Sequence, residues 1–169
     1  VQGDELEALK ACGALLGLNA HTSYGLADTA ADLLLPADAA TVSAAGLVTV
    51  SDATSVVEAH AVLGLNANSF YNLSDTAADL LVPADAATVS GASTVAVLDV
   101  ITLADADALR ALNANTSYSL SDTVANLLSP VVAATISAAT SVTVSDAVTV
   151  VDANALLVLN ANTAYGLSD

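Results

Sequence analysis

Leu112-Asn-Ala-Asn-Thr-Ser-Tyr-Ser-Leu-Ser-Asp-Thr-Val-Ala-Asn-Leu-Leu128 is the stretch whose reading decides the fold, because versions of it occur four times and the rest of the chain is spacer between them. The other copies cover 18–34, 65–81 and 159–169. Asn19, Asn66, Asn113 and Asn160 recur at a constant step of 47 residues, and so do Tyr24, Tyr71, Tyr118 and Tyr165. Asp28, Asp75, Asp122 and Asp169 keep the same step, as do Pro36, Pro83 and Pro130. A repeat held this strictly marks an array whose units share one continuous core.

Each 47-residue unit contains two related halves. Tyr118-Ser-Leu-Ser-Asp122-Thr is echoed by Val142-Thr-Val-Ser-Asp146-Ala and again by Tyr165-Gly-Leu-Ser-Asp169, at steps of 24 and 23 residues. Asp28, Asp52, Asp75, Asp99, Asp122, Asp146 and Asp169 therefore mark seven successive coils. A coil of this length suits solenoids with one strand and one helix per turn.

Apolar residues alternate with small polar ones before each of these aspartates, which is the period of a strand with one buried face. Strands are expected near 24–27, 48–51, 71–74, 95–98, 118–121, 142–145 and 165–168. The Asp that follows is a favoured helix N-cap, since its carboxylate accepts from orphaned backbone N–H groups. Short helices are expected at 28–34, 75–81 and 122–128, ended by the prolines. Longer ones follow the Val strands, as in Asp146 to Asn160, with Val148, Val151, Ala155 and Val158 turned to the core. Residues 4–18 match that longer helix, and Ala-Ala-Thr-Val/Ile-Ser at 39–43, 86–90 and 133–137 reads as a minor strand.

The expected fold is an α/β repeat: a β/α solenoid with one parallel strand and one helix per coil, joined by right-handed connections. An all-β solenoid is the alternative, and an all-helical array is disfavoured by β-branched alternation in Leu47-Val-Thr-Val and Ser141-Val-Thr-Val. Residues 1–169 read as a single array with repeats at about 1–28, 29–75, 76–122 and 123–169, cut from a longer protein. Seven coils at about 4.8 Å per strand would make a rod of about 34 Å.

Composition excludes several function classes. Eighteen acidic residues against Lys10 and Arg110 give a formal net charge of −16, which repels nucleic acid and anionic membrane surfaces. Asp or Asn interrupts every apolar run before it reaches the roughly 18 to 20 residues of a membrane span. Cys12 is the only cysteine, so no internal disulfide forms, and it reads as a small core residue. The stretch from Val1 to Lys10 has no signal-peptide pattern.

The Asp row is the one feature that resembles a site. Its plain reading is a ladder of caps; the competing reading is weak calcium binding at Asp28, Asp52, Asp75, Asp99, Asp122, Asp146 and Asp169, although calcium needs six to eight oxygens. His21 and His60 read as surface residues, and Arg110 as the partner of Asp107 one helical turn away. The four Asn of the repeat are expected to bond turn backbone. The outward strand positions carry Gly25, Ala27, Thr49, Ser51, Asn72, Ser74, Ala96, Leu98, Ser119, Ser121, Thr143 and Ser145, a small-residue face suited to a surface, even ice. Asn72-Leu-Ser and Asn115-Thr-Ser match the glycosylation sequon. There is no nucleophile elbow and no paired His, so no catalytic residue is nominated and no enzyme or cofactor is expected.

Ala27-Asp-Thr-Ala-Ala-Asp-Leu-Leu, Ser74-Asp-Thr-Ala-Ala-Asp-Leu-Leu and Ser121-Asp-Thr-Val-Ala-Asn-Leu-Leu resemble the Ser-Asp-Thr-Ala-Ala-Asn-Leu repeats of very large bacterial secreted or cell-surface proteins. The resemblance covers nearly the whole chain and supplies no catalytic residues. It implies an extracellular, type I-secreted protein used as stalk, adhesin, surface layer or filament. Self-stacking head to tail is the expected partnership, with calcium, glycan or a solid surface engaged in the adhesin alternative.

Overall fold

The computed structural model describes residues 23–168. The helix expected over 4–18, together with Lys10, Cys12, Asn19, His21 and Asp169, lies outside the described residues. Among the described residues seven strands and nine helices follow one another: β1 (Gly25–Asp28), α1 (Ala30–Leu33), α2 (Ala39–Ala44), β2 (Leu47–Thr54), α3 (Val56–Leu65), β3 (Ser69–Asp75), α4 (Ala77–Leu80), α5 (Ala86–Gly91), β4 (Val95–Ile101), α6 (Leu103–Leu112), β5 (Thr116–Asp122), α7 (Val124–Leu127), α8 (Ala133–Ala138), β6 (Ser141–Val148), α9 (Val150–Leu159) and β7 (Thr163–Leu167). Short 3-10 turns at Pro83–Asp85 and Pro130–Val132 lead into α5 and α8. This is an α/β architecture with parallel strand pairing and interleaved helices, which overturns the all-β and all-helical alternatives.

Contacts divide the described residues into two units, residues 23–74 with 91–93, and residues 75–90 with 94–168. In the first, β1 pairs with β2 from Gly25↔Leu47 to Asp28↔Val50, and β2 pairs with β3. In the second, β4, β5, β6 and β7 pair in chain order. Every one of these pairs is parallel.

β1, β2, β5 and β6 carry the expected alternation, whereas β4 and β7 do not. Val48 and Val50, Tyr118 and Leu120, and Val142 and Val144 are buried, while Thr49, Ser51, Thr143 and Ser145 are exposed. The helices cover the inward residues: α6 packs on β5, α7 on β6, α9 on β7, and α1 on both β2 and α3. Leu33, Val42, Ala59, Val62, Leu127, Ile136 and Leu156 complete cores of small and branched residues.

Three expectations are corrected. The segments at 39–43, 86–90 and 133–137 are helices, not minor strands. A proline-initiated turn precedes two of them, paired alanines favour the helix, and Val42, Val89 and Ile136 need only one buried face each.

The Val strands also run past their aspartates, to Thr54, Ile101 and Val148, so the long helices start later than Asp52, Asp99 and Asp146. In each of these strands the register shifts: the chain advances four positions from Thr49 to Ala53 while its partner advances two from Phe70 to Asn72, with the same excess at Ala96–Val100 and Thr143–Ala147. Such a bulge leaves residues unpaired and re-aims a side chain.

The third concerns α9, which buries Ala153 and Leu156 and leaves Val151, Ala155 and Val158 exposed; Val148 is buried, but in the strand. Apart from Asp152 and Asn154 that helix is apolar all round, so periodicity does not choose its face.

Candidate functional site

The helix caps are Thr and Ser, not the Asp of the row. Thr29, Ser55, Thr76, Thr102, Thr123 and Thr149 each accept from the N–H three residues on. At Ser55 the box is reciprocal: the hydroxyl donates to the Glu58 carboxylate at 2.7 Å and the Ser55 N–H donates to it at 3.0 Å. Those bonds, with one from Thr54, hold the Glu58 carboxyl below its usual range. The motif that announces these caps is Ser/Thr-x-x-Asp/Glu/Asn, one residue or more beyond each row aspartate.

The Val-strand aspartates have a different task, because they reach across to the other half of their own 47-residue repeat. Asp52 Oδ1 accepts from the Ala30 N–H at 2.9 Å, Asp99 Oδ1 from the Ala77 N–H at 2.8 Å and Asp146 Oδ1 from the Val124 N–H at 2.8 Å. Ala30, Ala77 and Val124 are the first residues of α1, α4 and α7, whose N–H groups have no intrahelical acceptor. The offset is 22 residues in all three, the same offset as the Gly25↔Leu47 and Ser119↔Ser141 strand registers. Each bulged Val strand thus carries its Asp level with the start of the helix before it.

The Tyr-strand aspartates turn back on their own chain. Asp28, Asp75 and Asp122 each accept from the N–H of the following Thr at 2.8 to 2.9 Å. Asp122 also accepts from Asn126 Nδ2 at 2.7 Å and from the Leu103 N–H, the first of α6, at 3.1 Å. Burial pushes its pKa up, but the three hydrogen bonds outweigh that and leave it lowered. Among the described residues no group of three His, Cys, Asp or Glu side chains is placed to hold a metal ion.

The repeat Asn residues form a second set of links. Asn66 is 6% exposed; its Nδ2 donates to Val42 O at 2.9 Å and Ala45 O at 2.7 Å, and its Oδ1 accepts from the Asn68 N–H at 2.9 Å. Asn160 repeats the pattern on Ile136 O, Ala139 O and the Asn162 N–H. Asn113 bonds Val89 O and the Asn115 N–H. The expected turn bond is there, and a tie to the helix half a repeat back is added. Tyr24 and Tyr118 make a third link, donating to Thr41 O and Thr135 O.

Arg110 and Asp107 meet through a third group. Arg110 donates to the Thr135 hydroxyl at 3.1 Å, and that hydroxyl donates to Asp107, so the two charges are tied to α8. His60 is exposed, as expected. The outward strand positions from Gly25 to Ser145 are exposed or half-buried, and Ser141 donates to Ser119 at 3.0 Å between two of them. No helix among the described residues is long and apolar enough to cross a membrane.

Fold and site together define an acidic α/β chain of parallel strand pairs in which recurring Asp, Asn and Tyr side chains serve backbone groups of neighbouring half-repeats. No family model, curated protein or solved structure matches it.

Proposed function

We propose that the chain is a structural segment of an extracellular repeat protein. In this reading it is a β/α solenoid of 23- and 24-residue coils that serves as stalk, surface layer or filament, assembles by coil stacking and has no enzymatic activity. The observation that carries it is the constant 22-residue link from Asp52 to Ala30, Asp99 to Ala77 and Asp146 to Val124. A bond that recurs at fixed offset ties the two halves of every 47-residue repeat together in the same way, as a stacked array requires. Parallel strands stack the same way between copies as within one, because their edges present unpaired N–H and C=O groups. Resemblance to bacterial surface repeats and the charge of −16 support an extracellular setting.

Negative-stain electron microscopy at low and high protein concentration, with calcium and with chelator, tests this. Filaments that grow with concentration and persist in chelator are expected. Single short particles under every condition would overturn self-assembly.

One observation favours a second reading, an adhesin or binding module. Parallel sheets are usually covered on both faces, whereas here Thr49, Ser51, Thr143 and Ser145 stand exposed. That face, or the Asp row with calcium, would then engage a glycan or a solid surface. Loss of such binding on replacing Thr143 and Ser145, with filaments absent, would favour it.

A further inference from the structure

Two grooves open between helices of the second unit. The larger, about 450 Å³, lies between α6 and α7, where Leu103, Ala104, Ala125 and Val132 line it together with Asp107 and Asp122. The smaller, about 320 Å³, lies between α4 and α6, where Ala77, Ala78, Leu81 and Val100 are joined by Asp99 and Asp105. They share one design: apolar walls made shallow by alanine, two carboxylates, and no basic lining residue. The short α4 and α7, four residues each, leave this space beside the ten-residue α6.

No basic residue lines these walls, and Arg110 reaches one of their carboxylates, Asp107, only through the Thr135 hydroxyl. The chain has two basic side chains, and the one among the described residues, Arg110, is bonded to Thr135. Asp107 receives one hydrogen bond, from Thr135, and Asp99 one, from Ala77, so each keeps an oxygen without a bond. A lysine or arginine side chain complements such a groove: its methylene stem lies on apolar surface while its head meets carboxylate. The net charge of −16 steers a cationic partner toward the chain, and the carboxylates lining these grooves repel a second, equally acidic copy from them.

We propose that the grooves flanking α6 dock a lysine- or arginine-bearing segment of another polypeptide, an activity separate from self-assembly. An acidic protein attracts any polycation, so the test separates shape from charge. A capped peptide of alternating lysine and alanine is titrated into the whole chain by isothermal calorimetry at physiological salt. Ala125→Leu and Ala104→Leu fill the larger groove without changing charge; both side chains are exposed, and circular dichroism checks the fold. Each should weaken binding about tenfold, as should Asp107→Asn, whereas Asp38→Asn, which removes one charge from the other unit, should change it less than twofold. Equal weakening by Asp38→Asn and Asp107→Asn, or wild-type binding by both leucine variants, would reduce the effect to general attraction and overturn the proposal. Calcium chloride alone is titrated as well. Saturable calcium binding lost in Asp107→Asn but retained in Ala125→Leu, with displacement of the peptide, would make the groove a cation site instead.

Discussion

Replacing Asn66 by Ala should cost about 2 to 3 kcal/mol of stability, and the figure follows from what each broken bond leaves behind. Asn66 holds Val42 O, Ala45 O and the Asn68 N–H at 2.7 to 2.9 Å. Val42 O keeps a partner, the Ala45 N–H at 3.2 Å, so losing its second bond costs about 1 kcal/mol or less. The Asn68 N–H belongs to an exposed residue and regains water, at about 0.5 kcal/mol. Ala45 is 7% exposed and its carbonyl loses its side-chain donor in a place water scarcely reaches, at about 1 to 2 kcal/mol. Urea unfolding followed by far-ultraviolet circular dichroism at neutral pH measures the sum, with the slope unchanged if only the native state is weakened. Asn66→Asp is the control. It keeps the acceptor for Asn68, removes both donors and sets a carboxylate against two carbonyls, so it should be at least as unstable as the Ala variant. A loss below about 1 kcal/mol for Asn66→Ala, or a wild-type midpoint for Asn66→Asp, would refute the reasoning.

Four further outcomes are expected. Leu156→Ala should cost about 2 to 5 kcal/mol, and Val158→Ser less than about 0.5, since Leu156 is fully buried and Val158 is 86% exposed; the reverse order in urea midpoints would mean that α9 presents its other face. Thr102→Ala should cost about 1 kcal/mol by removing the acceptor of the Asp105 N–H, while Thr102→Ser should retain most of it in the same assay. Gly64→Ala should raise the thermal midpoint, by about 0.5 to 1 kcal/mol, because a Cβ there meets nothing within 4 Å and the residue lies inside α3. The folded-state pKa of Asp122 is lowered, so its contribution is complete above the unfolded carboxylate range and is lost as pH falls through the folded value. Urea midpoints measured from neutral to strongly acid pH should therefore fall less steeply for Asp122→Asn than for the unsubstituted chain; parallel profiles would mean that Asp122 gains nothing on folding.

The strands were legible because their signal is the strictest in the chain. Tyr118 and Leu120 alternate with serines, and the 47-residue step repeats that alternation until chance is excluded. The face of α9 was not legible. Val150-Val-Asp-Ala-Asn-Ala-Leu-Leu-Val-Leu159 is apolar nearly all round, so its phase is fixed by the cap at Thr149 and the tie at Asn160, both tertiary facts. The caps were misplaced for a related reason: Asp and Thr are neighbours at 28–29, 75–76 and 122–123, and either can cap. In the Val strands, Ser55-x-x-Glu58 carried the correct signal, three residues past Asp52, and the β-branched Thr54 belonged to the strand. What no local pattern could reveal is a bond whose two ends lie 22 residues apart.

That hidden class of bond explains how a chain this acidic and this poor in large side chains holds its order. Ala, Val and Leu bury little area per residue, and a row of like-charged aspartates repels along its length. The carboxylates instead stand against helix starts, where the first N–H groups and the helix dipole favour negative charge. Replacing Asp99 by Asn keeps an acceptor for the Ala77 N–H but drops the charge, whereas Asp99→Ala drops both. If the link is a hydrogen bond first and a charge second, the Asn variant should stay within about 0.5 kcal/mol of wild type while the Ala variant loses about 1 kcal/mol or more. If relief of repulsion dominates, both variants should gain stability at low salt and lose that gain at high salt. Urea midpoints for the two variants, each at low and high salt, separate the cases, and a gain in both at low salt would mean that the row is tolerated by the fold and does not hold it together.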